Sequence, residues 1–91
     1  VGLGRIGSRV AEIAQVLGMK VVGYDPYISE GFWQKNNIEK LSFVEILRVA
    51  DAVTFHTPLT SDTKYMMAYP TLRLMLPHAF LINCARGAII N

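Results

Sequence analysis

The stretch Val1-Gly2-Leu3-Gly4-Arg5-Ile6-Gly7 (VGLGRIG) sets three glycines in the spacing G-x-G-x-x-G. It runs straight into apolar residues at helical spacing, Ile6, Val10, Ile13, Ala14 and Leu17, with Gly18 placed to end that helix. In such a loop the first glycine permits a tight turn, and the second lets a pyrophosphate approach the backbone. The third lets helix and strand pack closely. The anion then rests on free N–H groups at the helix start. Glycines also mark ordinary turns, so the motif alone decides little. Its context decides more. The motif opens a helix, and Asp25 closes the next strand, 18 residues after Gly7, where an acid accepts hydrogen bonds from the ribose hydroxyls of a dinucleotide. Asp25 would repel a 2′-phosphate, and no arginine follows it in "DPYISEG" (Asp25–Gly31). The cofactor expected is NAD rather than NADP.

Working outward, "MKVVGYD" (Met19–Asp25) reads as a strand. "PYISEGFWQKNN" (Pro26–Asn37) reads as a loop with one helical turn, and a short strand is expected at Ile38–Leu41. Ser42 and Glu45 form the S-x-x-E capping box of a helix through about Val49. "DAVTFHTP" (Asp51–Pro58) is a strand stopped by proline, Pro70 suits the first turn of a helix to Leu76, and Ala79–Cys84 reads as a buried strand. Alternating helices and apolar strands indicate an α/β fold with a parallel sheet covered on both faces.

In such sheets ligands bind outside the carboxyl ends of the strands. The glycine loop, Asp25, "HTP" (His56–Pro58) and "CARG" (Cys84–Gly87) all stand at those ends. Arg86 is then expected in the crevice, where a guanidinium grips a carboxylate with two parallel hydrogen bonds and polarises a neighbouring carbonyl. Gly87 leaves room for close approach. Cys84 is read as a small core residue or a wall of the cofactor cleft, not as a nucleophile. His56 is read as a hydrogen-bonded structural residue and His78 as an exposed turn residue. Arg48 and Arg73 are assigned to solvated helix faces. Tyr27, Phe32 and Trp33 either flank an adenine or pack the Asp25 loop onto the domain.

Taken together, "GLGRIG" (Gly2–Gly7), "GYDPY" (Gly23–Tyr27), "FHTPLTSDT" (Phe55–Thr63) and "INCARG" (Ile82–Gly87) resemble the coenzyme-binding domain of D-isomer-specific 2-hydroxyacid dehydrogenases, from residue 2 to about residue 90. The resemblance implies a Rossmann-type, doubly wound parallel sheet lacking most of its first strand. Residues 1–91 then form part of an NAD-binding domain, and the substrate domain lies outside them. It implies pyrophosphate binding by the N–H groups of Arg5 and Ile6 within the Gly2, Gly4, Gly7 loop, with ribose binding by Asp25. Thr57 would line the cleft, Cys84 and Ala85 would approach the nicotinamide side, and Arg86 would be the catalytic, substrate-binding arginine. The family's histidine–glutamate pair matches neither His56 nor His78. The leading substrate is 3-phosphoglycerate; glyoxylate or hydroxypyruvate is the alternative, and an NADH-binding transcriptional corepressor on the same fold is a third reading. Asn91, where the family more often has Asp, and "MMAYPTLRLMLPHAF" (Met66–Phe80) depart from the pattern.

Composition narrows the remaining classes. The 91 residues carry nine Lys plus Arg against seven Asp plus Glu, a net charge of +2. The basic residues are scattered, so neither a nucleic acid nor a membrane partner is expected. No apolar run approaches the roughly 20 residues of a membrane span. The single cysteine, Cys84, fits a reducing compartment and a cytoplasmic protein. No metal site is expected. Val1 is not an initiator Met, and the chain reads as a fragment of a longer, homo-oligomeric protein whose partner is a small-molecule substrate.

Overall fold

The computed structural model describes all of residues 1–91. Helix α1 (Arg5–Val16) begins at Gly4 and ends where Gly18 turns left-handed, at φ +87°. There the Leu17, Gly18 and Met19 N–H groups donate to Ile13, Gln15 and Ala14 carbonyls, a glycine-dependent helix stop. The elements that follow are β1 (Val22–Gly23), α2 (Glu30–Lys35), β2 (Glu39–Lys40), α3 (Phe43–Val49), β3 (Ala52–Phe55), α4 (Tyr69–Leu72) and β4 (Phe80–Asn83). A 3₁₀ turn, Gly87–Ile89, follows β4. No helix is long and apolar enough to cross a membrane.

Two parallel pairs, β1 with β2 and β3 with β4, are joined by the first two residues. Val1 donates to the Thr54 carbonyl (2.8 Å) and accepts from His56 N–H (2.8 Å), the slanted pattern of a parallel pair. Gly2 N–H donates to the Tyr24 carbonyl at 2.9 Å on the other side. The spatial order is therefore β2, β1, Val1–Gly2, β3, β4. The chain winds outward from the centre through β1 to β2, then returns past the centre to β3. This order makes the sheet doubly wound, with its topological switch point beside the glycine loop.

Alternation along the strands assigns the faces. Val53 and Phe55 are buried with Ile46, Leu47 and Ala50 of the α3 region and with Met67 and Ile89. Thr54 and His56 point to the opposite face, where α1 packs and where Leu3, Ala11, Trp33 and Ile38 make a second cluster. Gly23 serves that cluster. A side-chain carbon there would come within 2.7 Å of Leu3 and 3.1 Å of the Trp33 ring.

Four expectations are corrected. The segment Pro26–Asn37 holds a six-residue helix, α2, rather than a loop with one turn. Burial of Trp33 holds it in place, and Glu30 and Lys35 sit at the ends their charges favour. Helix α4 ends at Leu72 rather than Leu76, because i→i−3 bonds at Leu74 and Met75 replace helical ones before Pro77. The strand expected over Met19–Asp25 is regular only at Val22–Gly23. The strand at Ala79–Cys84 is Phe80–Asn83, and it is not buried on both faces: Phe80 is 71% and Ile82 44% exposed. Within residues 1–91 β4 is the outermost strand, and Phe80 and Ile82 stand exposed on its α1-side face.

The capping box forms as expected: Glu45 N–H donates to Ser42 Oγ (3.2 Å), and Ser42 N–H donates to Glu45 Oε1 (2.8 Å). These bonds hold the Glu45 carboxyl below its ordinary 4.5. A lowered carboxyl pKa stabilises the fold above the ordinary value, and that contribution disappears as pH falls through the lowered one. Ser42→Ala is expected to cost about 1 kcal/mol, read as a lower midpoint in urea at neutral pH.

Candidate functional site

The glycine loop is built by contact as much as by conformation. Gly2 has φ +88°, and a side-chain carbon on it would sit 2.6 Å from the His56 carbonyl oxygen and 3.0 Å from Thr57 N. A carbon on Gly7 would overlap the Gly2 carbonyl oxygen and reach 3.3 Å from His56 Cβ. Nothing lies within 4 Å of the same position on Gly4. Gly4 is the N-cap of α1 and no side chain caps that end, so the first-turn N–H groups of Arg5 and Ile6 face a free anion position. Dense packing at Gly2 and Gly7 with open space at Gly4 is what a pyrophosphate requires.

Asp25 stands beside the loop and is tied to it. Its Oδ2 accepts from Leu3 N–H (2.8 Å) and its Oδ1 from Tyr27 N–H (2.9 Å). Each carboxylate oxygen keeps a lone pair free for a further donor. The link from the Asp25 carboxylate to the glycine loop itself was not foreseen from the sequence. Tyr27 is 83% exposed, whereas Trp33 is only 5% exposed and stacks edge-on against Phe32. Packing accounts for Trp33, and Tyr27 alone of the three faces solvent.

Register places Phe55 opposite Asn83, so His56 and Thr57 leave β3 beside the point where Cys84 and Ala85 leave β4. His56 Nε2 lies 2.9 Å from Thr54 Oγ1, in keeping with a structural histidine. Burial pushes its pKa below the ordinary 6.5. Cys84 is exposed, just past the end of β4, which corrects the reading of it as a core residue. His78 is exposed, as expected, but also bonds Asp51 at 2.8 Å. Arg48 and Arg73 are both exposed, and Arg73 lies over the Tyr69 ring.

Arg86 is exposed and joins none of the ion pairs of the chain. Its one side-chain bond goes from Nη1 to the Ala85 carbonyl, at 3.4 Å. With β3 between them, two strand spacings of about 4.8 Å each separate its turn from the glycine loop, a gap a dinucleotide bridges. Asn83 braces that turn through its side chain. An asparagine two residues before a turn was the available signal.

Comparison with known proteins agrees with this geometry. The profile of the D-isomer specific 2-hydroxyacid dehydrogenase NAD binding domain matches residues 1–91. D-3-phosphoglycerate dehydrogenase of Bacillus subtilis (strain 168) is 44% identical over the whole chain, which spans 17% of that protein. Erythronate-4-phosphate dehydrogenase of Acinetobacter baumannii (strain ACICU) is 40% identical, again over the whole chain and 25% of that protein. Among solved structures, D-lactate dehydrogenase from Aquifex aeolicus, complexed with NAD and lactic acid, superposes with a TM-score of 0.92 at 37% identity. That match covers 99% of this chain and 27% of the other. The chain thus spans about a sixth to a quarter of the length of these relatives.

Proposed function

Because this chain belongs to the D-isomer specific 2-hydroxyacid dehydrogenase family, as its NAD-binding domain, we propose that the protein oxidises 3-phosphoglycerate to 3-phosphohydroxypyruvate, or runs the reverse reduction. The cofactor is NAD. When bound, NAD supplies the hydride acceptor. The N–H groups of Arg5 and Ile6 hold its pyrophosphate over the open face of Gly4, between Gly2 and Gly7. Asp25 accepts the adenosine ribose hydroxyls on its free lone pairs and rejects a 2′-phosphate by charge. Thr57 lines the cleft, and Cys84 and Ala85 wall the nicotinamide side. Arg86 binds the substrate carboxylate through two parallel hydrogen bonds and polarises the C2 oxygen as charge develops there. The proton at that oxygen is moved by a histidine outside residues 1–91.

The observation that supports this reading is the place of Arg86 in the fold: an exposed guanidinium in no ion pair, three residues past the end of β4, with the glycine loop two strands away in the same parallel sheet. The choice of a phosphorylated substrate rests on the two sequence relatives named for phosphorylated acids, against the D-lactate dehydrogenase that also superposes on the chain. The substrate domain, the homo-oligomeric state and a cytoplasmic location belong to the same proposal, and the greater length of the relatives supports the first of them.

The test is NADH oxidation by the full-length protein with 3-phosphohydroxypyruvate, hydroxypyruvate, glyoxylate and pyruvate in parallel. The phosphorylated acid is expected to lead in kcat/KM by on the order of 10²-fold or more, because a site built to pair with phosphate is left unsatisfied without it. Preference for glyoxylate or hydroxypyruvate would replace the substrate. NADH binding with no turnover would bring forward the corepressor reading.

A further inference from the structure

The turn that carries Arg86 is held from two sides. On one side, Asn83 Nδ2 donates to the Arg86 carbonyl (2.8 Å), and Asn83 Oδ1 accepts from Ala85 N–H (3.1 Å). One side chain thus satisfies the Ala85 N–H and the Arg86 carbonyl, the groups on either side of the Ala85–Arg86 peptide. On the other side, Ile89 N–H donates to the same Arg86 carbonyl (3.1 Å) and closes the 3₁₀ turn. That turn is anchored in the core. Ile89 and Met67 are fully buried, Met67 N–H donates to the Ile89 carbonyl (3.0 Å), and Tyr65 N–H donates to the Ala88 carbonyl (2.8 Å).

Arg86 itself has extended backbone angles, φ −133° and ψ 138°, and makes only one long side-chain bond, to its neighbour's carbonyl. The backbone path therefore sets the point and direction from which the Arg86 side chain leaves the turn. Of the two braces, only Asn83 reaches that path through a side chain, so only there does residue type decide the geometry.

We propose that Asn83 is a positioning residue for the reaction: its carboxamide fixes the Ala85–Arg86 peptide and thereby aims the Arg86 guanidinium at the substrate carboxylate. This rests on the reading of Arg86 given above. Asn83 touches neither substrate nor cofactor in this role. Removing the carboxamide frees a turn on an edge strand, and a reacting group misplaced by about 1 Å loses on the order of 10²-fold in rate.

The experiment is a double-mutant cycle in the full-length protein, with kcat/KM measured using NADH and 3-phosphohydroxypyruvate. Asn83→Ala alone is expected to lose on the order of 10²-fold. In an Arg86→Ala background the same substitution is expected to cost less than about twofold, since there is no guanidinium left to aim. NADH affinity should fall far less than kcat/KM, because the pyrophosphate and ribose contacts lie on other strands. If Asn83→Ala does not fold, Asn83→Asp carries the test. It keeps the acceptor for Ala85 N–H and loses the donor to the Arg86 carbonyl. An Asn83 variant as active as wild type overturns the proposal. So do losses that simply multiply in the double variant, which would mean Asn83 acts independently of Arg86. A fully active Arg86→Ala single variant would instead remove the underlying reading of Arg86, and the cycle reports that separately.

Discussion

Arg86→Ala in the full-length protein is expected to lower kcat/KM by about 10³-fold while NADH still binds. Two effects add in this loss. The carboxylate of the substrate loses a bidentate, charge-assisted partner, and the C2 oxygen loses the positive charge that stabilises it in the transition state. No other cation replaces it: the neighbouring residues of the turn, Asn83, Cys84, Ala85 and Gly87, carry no charge. Arg86→Lys should recover only part of the activity, because a single ammonium cannot reproduce the two parallel bonds of a guanidinium. Steady-state kinetics with a parallel NADH fluorescence titration separates the two roles. A variant that keeps its activity would move the substrate site away from the end of β4.

The second large effect distinguishes two glycines of the same motif. Gly7→Ala is expected to destabilise the protein by about 3 kcal/mol and to abolish NADH binding. The added carbon meets the Gly2 carbonyl, and Gly2 cannot retreat because the His56 carbonyl and Thr57 nitrogen already close its far side. Gly4→Ala should behave differently. Its φ of −74° lies outside the left-handed region that favours glycine, and the space around it is open. The protein should fold with unchanged thermal stability yet bind NADH weakly, because the methyl group occupies the approach of the pyrophosphate. Thermal melts and NADH titrations of both variants check this. Equal stability loss in the two would show that Gly4 serves packing instead.

The sequence made legible those features that depend on local chemistry. The glycine loop, the Ser42–Glu45 capping box and the stop at Gly18 are each written in a few adjacent residues. Each forms where expected. The places of Asp25, His56 and Cys84 just past the carboxyl ends of parallel strands were legible too, since they need only the order of elements. What it did not reveal depends on tertiary placement. Apolar strands look alike whether central or at an edge, so the exposure of Phe80 and Ile82 could not be read from "FLIN". Helix α2 owes its six residues to the burial of Trp33, which no local pattern announces. The bonds from Asp25 to Leu3 and from His78 to Asp51 join residues more than 20 positions apart. Asn83 is a different case: its partners are only two and three residues away, but an asparagine beside a turn is too common a pattern to mark a brace on its own.

The most direct test of the crevice as the reaction site is a crystal structure of the full-length protein with NADH and a non-reactive 2-keto acid analogue. The expected complex has pyrophosphate oxygens about 2.7–3.1 Å from the Arg5 and Ile6 N–H groups and the analogue's carboxylate paired with both terminal nitrogens of Arg86. A cofactor bound away from the glycine loop, or an analogue held elsewhere with Arg86 turned to solvent, would contradict it.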